Sequence, residues 1–142
     1  MLAKNINIDE LAKLFKDLEI NVPDFMNRKY LITVSEYSKF LELLYNATYL
    51  DKKNSEYALS LLDESKGKKK GIMKFLPDGS KTIHKFSNRF NNNQYELREP
   101  GIIYTKNDAF QLTIFATGNN NTTLDSATGN IGKIVYDWIK NM

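Results

Sequence analysis

The sequence predicts an α+β fold: N-terminal helices, then a three-stranded antiparallel meander, then a C-terminal helix packed on the sheet. Three observations predict it. Apolar residues recur at helical spacing through the first 65 positions. Three strand-like runs follow: Lys81–Ser87 (KTIHKFS), Pro100–Thr105 (PGIIYT) and Gln111–Gly118 (QLTIFATG). A last periodic segment, Asp125–Lys140, closes the chain. The 142 residues read as one domain, with a helical part over 1–65 and a sheet-plus-helix part over 72–142.

The first helix is expected from Ile8 to Leu18, capped by Asn7 or Asp9, with Ile8, Leu11, Ala12, Phe15 and Leu18 on one side. The second opens at Thr33-Val34-Ser35-Glu36, a capping box in which hydroxyl and carboxylate satisfy free amides at the helix start. Its apolar stripe is Tyr37, Phe40, Leu41, Leu44 and Tyr45. A shorter helix is expected from Asn54 to Asp63, with Tyr57, Ala58, Leu61 and Leu62 facing inward. Pro77-Asp78-Gly79 is a turn, since Pro fixes φ and Gly supplies a reversed one. Between the first two strands, Asn88–Glu99 reads as a polar excursion too long for a tight hairpin. Lys106-Asn107-Asp108 joins the last two as a short turn. In the final helix, Ile131, Ile134, Val135, Trp138 and Ile139 form a stripe broad enough to lie across a sheet face.

Composition excludes several function classes. There are no cysteines, so disulfides, thiolate nucleophiles and Cys-based metal sites are out. The single histidine, His84, rules out a His-rich metal centre. No metal or cofactor is expected. The net charge of +3 is mild, and only Arg28, Arg89 and Arg98 are arginines, against the clustered Arg and aromatics of nucleic-acid readers. The basic run Lys66-Gly67-Lys68-Lys69-Lys70 reads as a solvated loop, and no nucleic-acid partner is expected. No apolar run approaches the roughly 18 residues of a membrane span. Met1–Lys4 leads into a polar helix start, so no secretory leader is read there.

The ordered series of segments resembles the C-terminal half of class A β-lactamases and related penicillin-recognising serine hydrolases. It runs from the Thr33 cap and its Leu-rich stripe through Leu50-Asp51-Lys52, the Ser55–Leu62 helix and Leu76-Pro77 to His84-Lys85-Phe86-Ser87. Glu99-Pro100-Gly101-Ile102-Ile103-Tyr104 and the strand ending Thr117-Gly118 complete it. The resemblance implies that His84-Lys85-Phe86-Ser87 occupies the place of the family's third signature, Lys-Thr-Gly or Lys-Ser-Gly, on a strand lining the substrate site. Lys85 matches by position. Phe86 lacks the carboxylate-binding hydroxyl, and Ser87 replaces a glycine that lets substrate lie against the strand. The four residues are the candidate substrate-binding set.

The rest of the family's machinery is missing. The one Ser-x-x-Lys match, Ser65-Lys66-Gly67-Lys68, lies in a Lys/Gly loop with no apolar helix after it, the wrong setting for a nucleophile. Neither Ser-x-Asn nor a Tyr-x-Asn equivalent occurs, and Glu19 and Asp24 lack the spacing of a deacylating loop. No catalytic set is complete, and the carboxylates Glu96 and Glu99 read as solvated. In the family's full fold two N-terminal strands and an N-terminal helix join this sheet and this final helix. Their absence implies an open edge at Gln111–Thr117 and an uncovered helix face. The expected partner is an N-terminal half of the same fold or a second copy of the chain. Family members work outside the cytoplasm by resemblance, while the chain itself leaves its compartment open. Two other readings remain: a non-catalytic module that captures a peptide at a sheet edge, and an unrelated small α+β domain.

Overall fold

The computed structural model describes residues 7–24, 32–62 and 69–141. Three helices precede the sheet. Helix α1 (Ile8–Asp17) starts where Asn7 caps it, its Oδ1 accepting from Asp9 N at 2.9 Å. Helix α2 (Val34–Asn46) carries the expected capping box: Glu36 N donates to Thr33 Oγ1 at 3.1 Å, and Thr33 N donates to Glu36 Oε2 at 2.8 Å. Helix α3 (Lys52–Leu61) is opened by Asp51, whose Oδ1 accepts from Asn54 N. The α3 face differs from the expected one. Ser55 and Leu59 are buried, whereas Tyr57 and Leu61 point to solvent. Ser55 and Leu59 lie four apart on one side, and the small Ser55, donating to Leu50 O, lets α3 approach closely on that side.

The sheet is antiparallel and centred on one long strand. Strands β1 (Thr82–His84) and β2 (Ser87–Asn91) both pair with β3 (Gln94–Tyr104), and β4 (Ala109–Gly118) pairs with its other side. The register is continuous across β1 and β2, from Thr82↔Ile103 to Asn91↔Gln94. They are therefore two pieces of one ribbon, and the three-ribbon meander stands. The polar excursion over Asn88–Glu99 does not: these residues form a tight hairpin. Asn92 and Asn93 turn it with φ of 48° and 59°, the left-handed pair that a two-residue type I′ connection requires. Phe90 and Tyr95 pair across it at 4.9 Å, and Arg89 meets Glu96. Farther upstream, Ser80 N bonds Pro77 O across the Pro77-Asp78-Gly79 turn, with Gly79 at φ 79°.

Helices cover both faces of the sheet. On one face Ile83 and Ile102 pack with Leu41 of α2 and Leu59 of α3. On the other, Ile103 packs with Ile72 and Met73 of a short 3₁₀ turn at Gly71–Met73 and with Leu76 just after it. Helix α4 (Asn121–Lys140) lies over that turn. It starts four residues before the expected Asp125, because Asn120 Oδ1 caps it by accepting from Thr123 N. The expected apolar stripe of α4 is not the face that packs. Leu124, Thr128, Gly129 and Gly132 are buried, while Ile134 is 68% and Trp138 65% exposed, with Ile131 exposed beside them. Glycine explains the inversion. A Cβ on Gly132 would come within 2.4 Å of Ile72 O, so the helix backbone itself sits on the turn and large side chains are directed away.

Candidate functional site

Pro100 shapes the segment around Lys85. It faces Lys85 in register but has no N–H to donate, so the β1–β3 ladder is interrupted at Lys85-Phe86. One bond survives there, Lys85 N to Pro100 O at 3.1 Å. On either side of this gap the ribbon is locked: before it by the buried β1 residues, after it by the β2–β3 hairpin.

Alternation along the ribbon divides the four candidate residues between two faces. Lys85 and Ser87 follow Ile83 on the α2 side; Lys85 is exposed, and Ser87 borders a cavity shared with Tyr37 and Phe40. His84 and Phe86 are on the opposite face. Phe86 is half-buried, with Lys70 Nζ 5.8 Å from its ring centre. His84 is 2% exposed, and its Nδ1 lies 2.6 Å from Glu99 Oε1. The structure thus brings Lys85 and Ser87 together and sets His84 into the core. His84 N also bonds Leu62 O at the end of α3, which covers the ribbon's outer edge at that point. Beyond it, the backbone groups of Phe86 and Asn88 point away from β3, and among the described residues no other strand pairs with this edge.

Glu99 is the residue the sequence misplaced. It is fully buried rather than solvated, and both its oxygens lie 3.1 Å from Ile72 N. Burial pushes its carboxyl above the ordinary glutamate value, a rise only partly opposed by the His84 contact and the Ile72 amide. A second carboxylate holds the same turn: Asp125 accepts from Gly71 N at 2.6 Å and from Lys74 Nζ at 2.7 Å. Glu99, His84, the 71–73 turn and α4 are thereby joined, directly behind the Lys85 gap. The available signal was Glu99-Pro100-Gly101 itself. Pro100 sets the gap, and Gly101 lets Ile72 in, since a Cβ there would sit 2.2 Å from Ile72 Cδ1.

Among the described residues no group of three or more His, Asp or Glu could hold a metal ion, and no helix is long and apolar enough to cross a membrane. Ser65-Lys66-Gly67-Lys68 and Arg28 lie outside the described residues.

This combination, a helix-flanked antiparallel sheet with a Lys-bearing ribbon at one side and a closing helix, defines the class. A family model described as the beta-lactamase enzyme family matches residues 1–139, and the chain belongs to that family. The fold is similar to that of the TLA-3 extended-spectrum β-lactamase (TM-score 0.77, 19% identity) and of TLA-1 (TM-score 0.74, 18% identity), each match covering 94% of this chain and 55% of that one. A class A β-lactamase representative from Bacteroides cellulosilyticus DSM 14838 is similar too (TM-score 0.75, 16% identity, 96% of this chain and 55% of that one). The chain thus spans about half the length of these structures. No curated protein matches it by sequence.

Proposed function

We propose that this chain is the C-terminal portion of a β-lactamase-like serine hydrolase, supplying the substrate-binding strand and inactive alone. Lys85 would offer positive charge to an anionic substrate group, and Ser87 a hydroxyl on the same face. Phe86 and His84 would act from the opposite face, His84 by fixing the strand through Glu99. The nucleophile would come from an N-terminal portion bearing Ser-x-x-Lys, in which the lysine activates the serine.

The observation that carries this reading is the pairing of a family match over residues 1–139 with coverage of only 55% of the related structures. Two surfaces support the proposed partner. No further strand pairs with β4 among the described residues, and α4 shows Ile131, Ile134 and Trp138 to solvent. Mass spectrometry of the chain after incubation with a fluorescent penicillin should show no covalent adduct, and an adduct on the chain alone would sink the proposal. The genomic codons ahead of Met1, or a neighbouring reading frame, should encode Ser-x-x-Lys and Ser-x-Asn.

The second reading is a non-catalytic module that adds a peptide strand at Gln111–Thr117, favoured by the same side of β4, with which no further strand pairs among the described residues. It predicts binding of an extended peptide with no covalent chemistry in any mixture.

A further inference from the structure

The two sides of the sheet are finished differently. Strand β2, on one side of β3, ends after five residues and carries Arg89 among its solvated side chains. Strand β4, on the other, runs for ten residues in unbroken one-to-one register, from Tyr95↔Gly118 to Tyr104↔Ala109, with no bulge. It has no charged residue and no proline. Its long polar side chain, Gln111, turns back to donate to Ser38 O at 2.7 Å. Strands that stay facing water carry charges, prolines or bulges that stop another chain from adding to them, and β4 carries none of these.

The direction of its free backbone groups follows from Pro100. The Pro100 carbonyl accepts from Lys85 N and so faces the β1–β2 ribbon. Thr113 stands opposite Pro100, and in the antiparallel alternation its N–H and C=O then point away from β3, as do those of Gln111 and Phe115. Among the described residues no strand meets them.

Helix α4 runs back along the same strand. Leu124, near its start, lies against Gly118, where an added Cβ would meet Leu124 Cδ2 at 3.2 Å, and Ile139, near its end, borders a groove with Thr105–Asp108. Ala127, Ile131, Ile134 and Trp138 are exposed at steps of four, three and four residues, the spacing of a helix-packing seam. Ile131 lies two turns beyond Leu124 and therefore on the flank next to β4. Lys133 and Asp137 sit to one side of the seam, paired with each other at 2.5 Å, so no charge interrupts it.

We infer that a second copy of this chain covers this face, β4 pairing antiparallel with its twin and the two α4 seams packing together about one twofold axis perpendicular to the sheet. A free peptide strand would satisfy β4 and leave the seam in water, and a lone helix would do the reverse. A copy brings both, because such an axis keeps both α4 helices on the same face of the joined sheet. The area suffices. A strip about 30 Å long and about 20 Å deep, across one strand layer and one helix layer, offers roughly 600 Å² per partner, which meets the lower bound of about 1,200 Å² in total for stable interfaces. The pairing goes beyond the proposed function and does not rest on it, since it concerns the chain by itself, where no N-terminal portion competes for the face.

The test is sedimentation equilibrium of the 142-residue chain across the micromolar range, with emission from Trp138, its single tryptophan, read over the same range. The expected result is a species of twice the 16.4 kDa chain mass, with Trp138 emission moving to shorter wavelength as it forms. Thr113→Pro deletes an outward N–H without touching the β3 ladder, and Ile134→Lys charges the exposed seam; each should weaken dimerisation at least about tenfold. Mass and emission are read on the unaltered chain, so they stand whether or not either variant folds. A single 16.4 kDa species at every concentration would overturn the inference and leave the face to a separate polypeptide. A dimer that leaves Trp138 emission unchanged, or is indifferent to Ile134→Lys, would overturn it by placing the contact elsewhere. Growth beyond the dimer would overturn it too, because a twofold contact closes on itself. No penicillin enters these measurements, so the dimer and the proposed function succeed or fail separately.

Discussion

Replacing Glu99 tests how the Lys85 strand is held. Glu99→Ala removes the acceptor of Ile72 N and the partner of His84 Nδ1 at once, both inside the protein. A buried donor left unsatisfied costs about 1–3 kcal/mol. Two such donors are orphaned together, so the expected loss is about 2–5 kcal/mol. For a chain of this size that lowers Tm by roughly 10 °C. Urea unfolding followed by circular dichroism gives the number. A loss below about 1 kcal/mol would mean that water or another group replaces the carboxylate, and the anchoring argument would fall.

The same residue fixes a pH dependence with a definite sign. Burial raises the Glu99 carboxyl in the folded protein above its ordinary value of 4.5. The folded state then holds that proton more tightly than the unfolded chain. The corresponding stability is fully present below pH 4.5 and is lost as pH rises through the higher folded value. Glu99→Gln has no such proton. Its stability relative to the original protein should therefore improve from pH 4 toward pH 7. His84 and Asp125, the titratable groups facing Glu99, are present in both proteins. A constant or declining difference over that interval would contradict the burial argument.

Other substitutions probe the fold and the strand. Thr33→Ala should cost about 1 kcal/mol through loss of the α2 cap. It should flatten the acid limb of stability only in part: the residue-33 amide, which does most to hold the Glu36 carboxyl below its ordinary range, survives the change, and only the hydroxyl's share, present above that range and lost as pH falls, disappears. Gly71→Ala places a Cβ 1.9 Å from Glu99 Oε2 at a φ of +53°, so thermal melting should show a loss well above that of an ordinary surface change. Asn93→Gly should leave the hairpin intact in amide exchange, whereas Asn93→Val should open it, because a β-branched residue resists the φ of 59° there. Lys85→Ala should stay within about 0.5 kcal/mol of the original stability, since its side chain is exposed.

Elements governed by local chemistry were legible in the sequence. The Thr33–Glu36 box, the Pro77-Asp78-Gly79 turn, and the strands at Pro100–Thr105 and Gln111–Gly118 depend on neighbours in the chain. Features set by distant contacts were not legible. Strand β2 carries Ser87, Asn88, Arg89 and Asn91 with mostly solvated side chains, so it has no apolar alternation, and its tight turn is made by Asn92-Asn93 without glycine. The face of α4 was inverted because large residues suggest burial, whereas here Gly129 and Gly132 permit the closest backbone approach. Glu99 looked solvated because nothing nearby announces the Ile72 amide, 27 residues away. The ribbon around His84–Ser87 was located from sequence, but its division between two faces needed the register across Pro100.

The proposal that two halves share one site is tested most directly by labelling with a fluorescent penicillin in a reconstituted mixture. An N-terminal half bearing Ser-x-x-Lys is incubated with this chain, with its Lys85→Ala form, or alone, and the bands are separated under denaturing conditions. The expected adduct sits on the N-terminal half, forms only when this chain is present, and is lost or strongly reduced with Lys85→Ala. Equal labelling with and without this chain, or with the Lys85→Ala form, would contradict a contribution from the Lys85 strand.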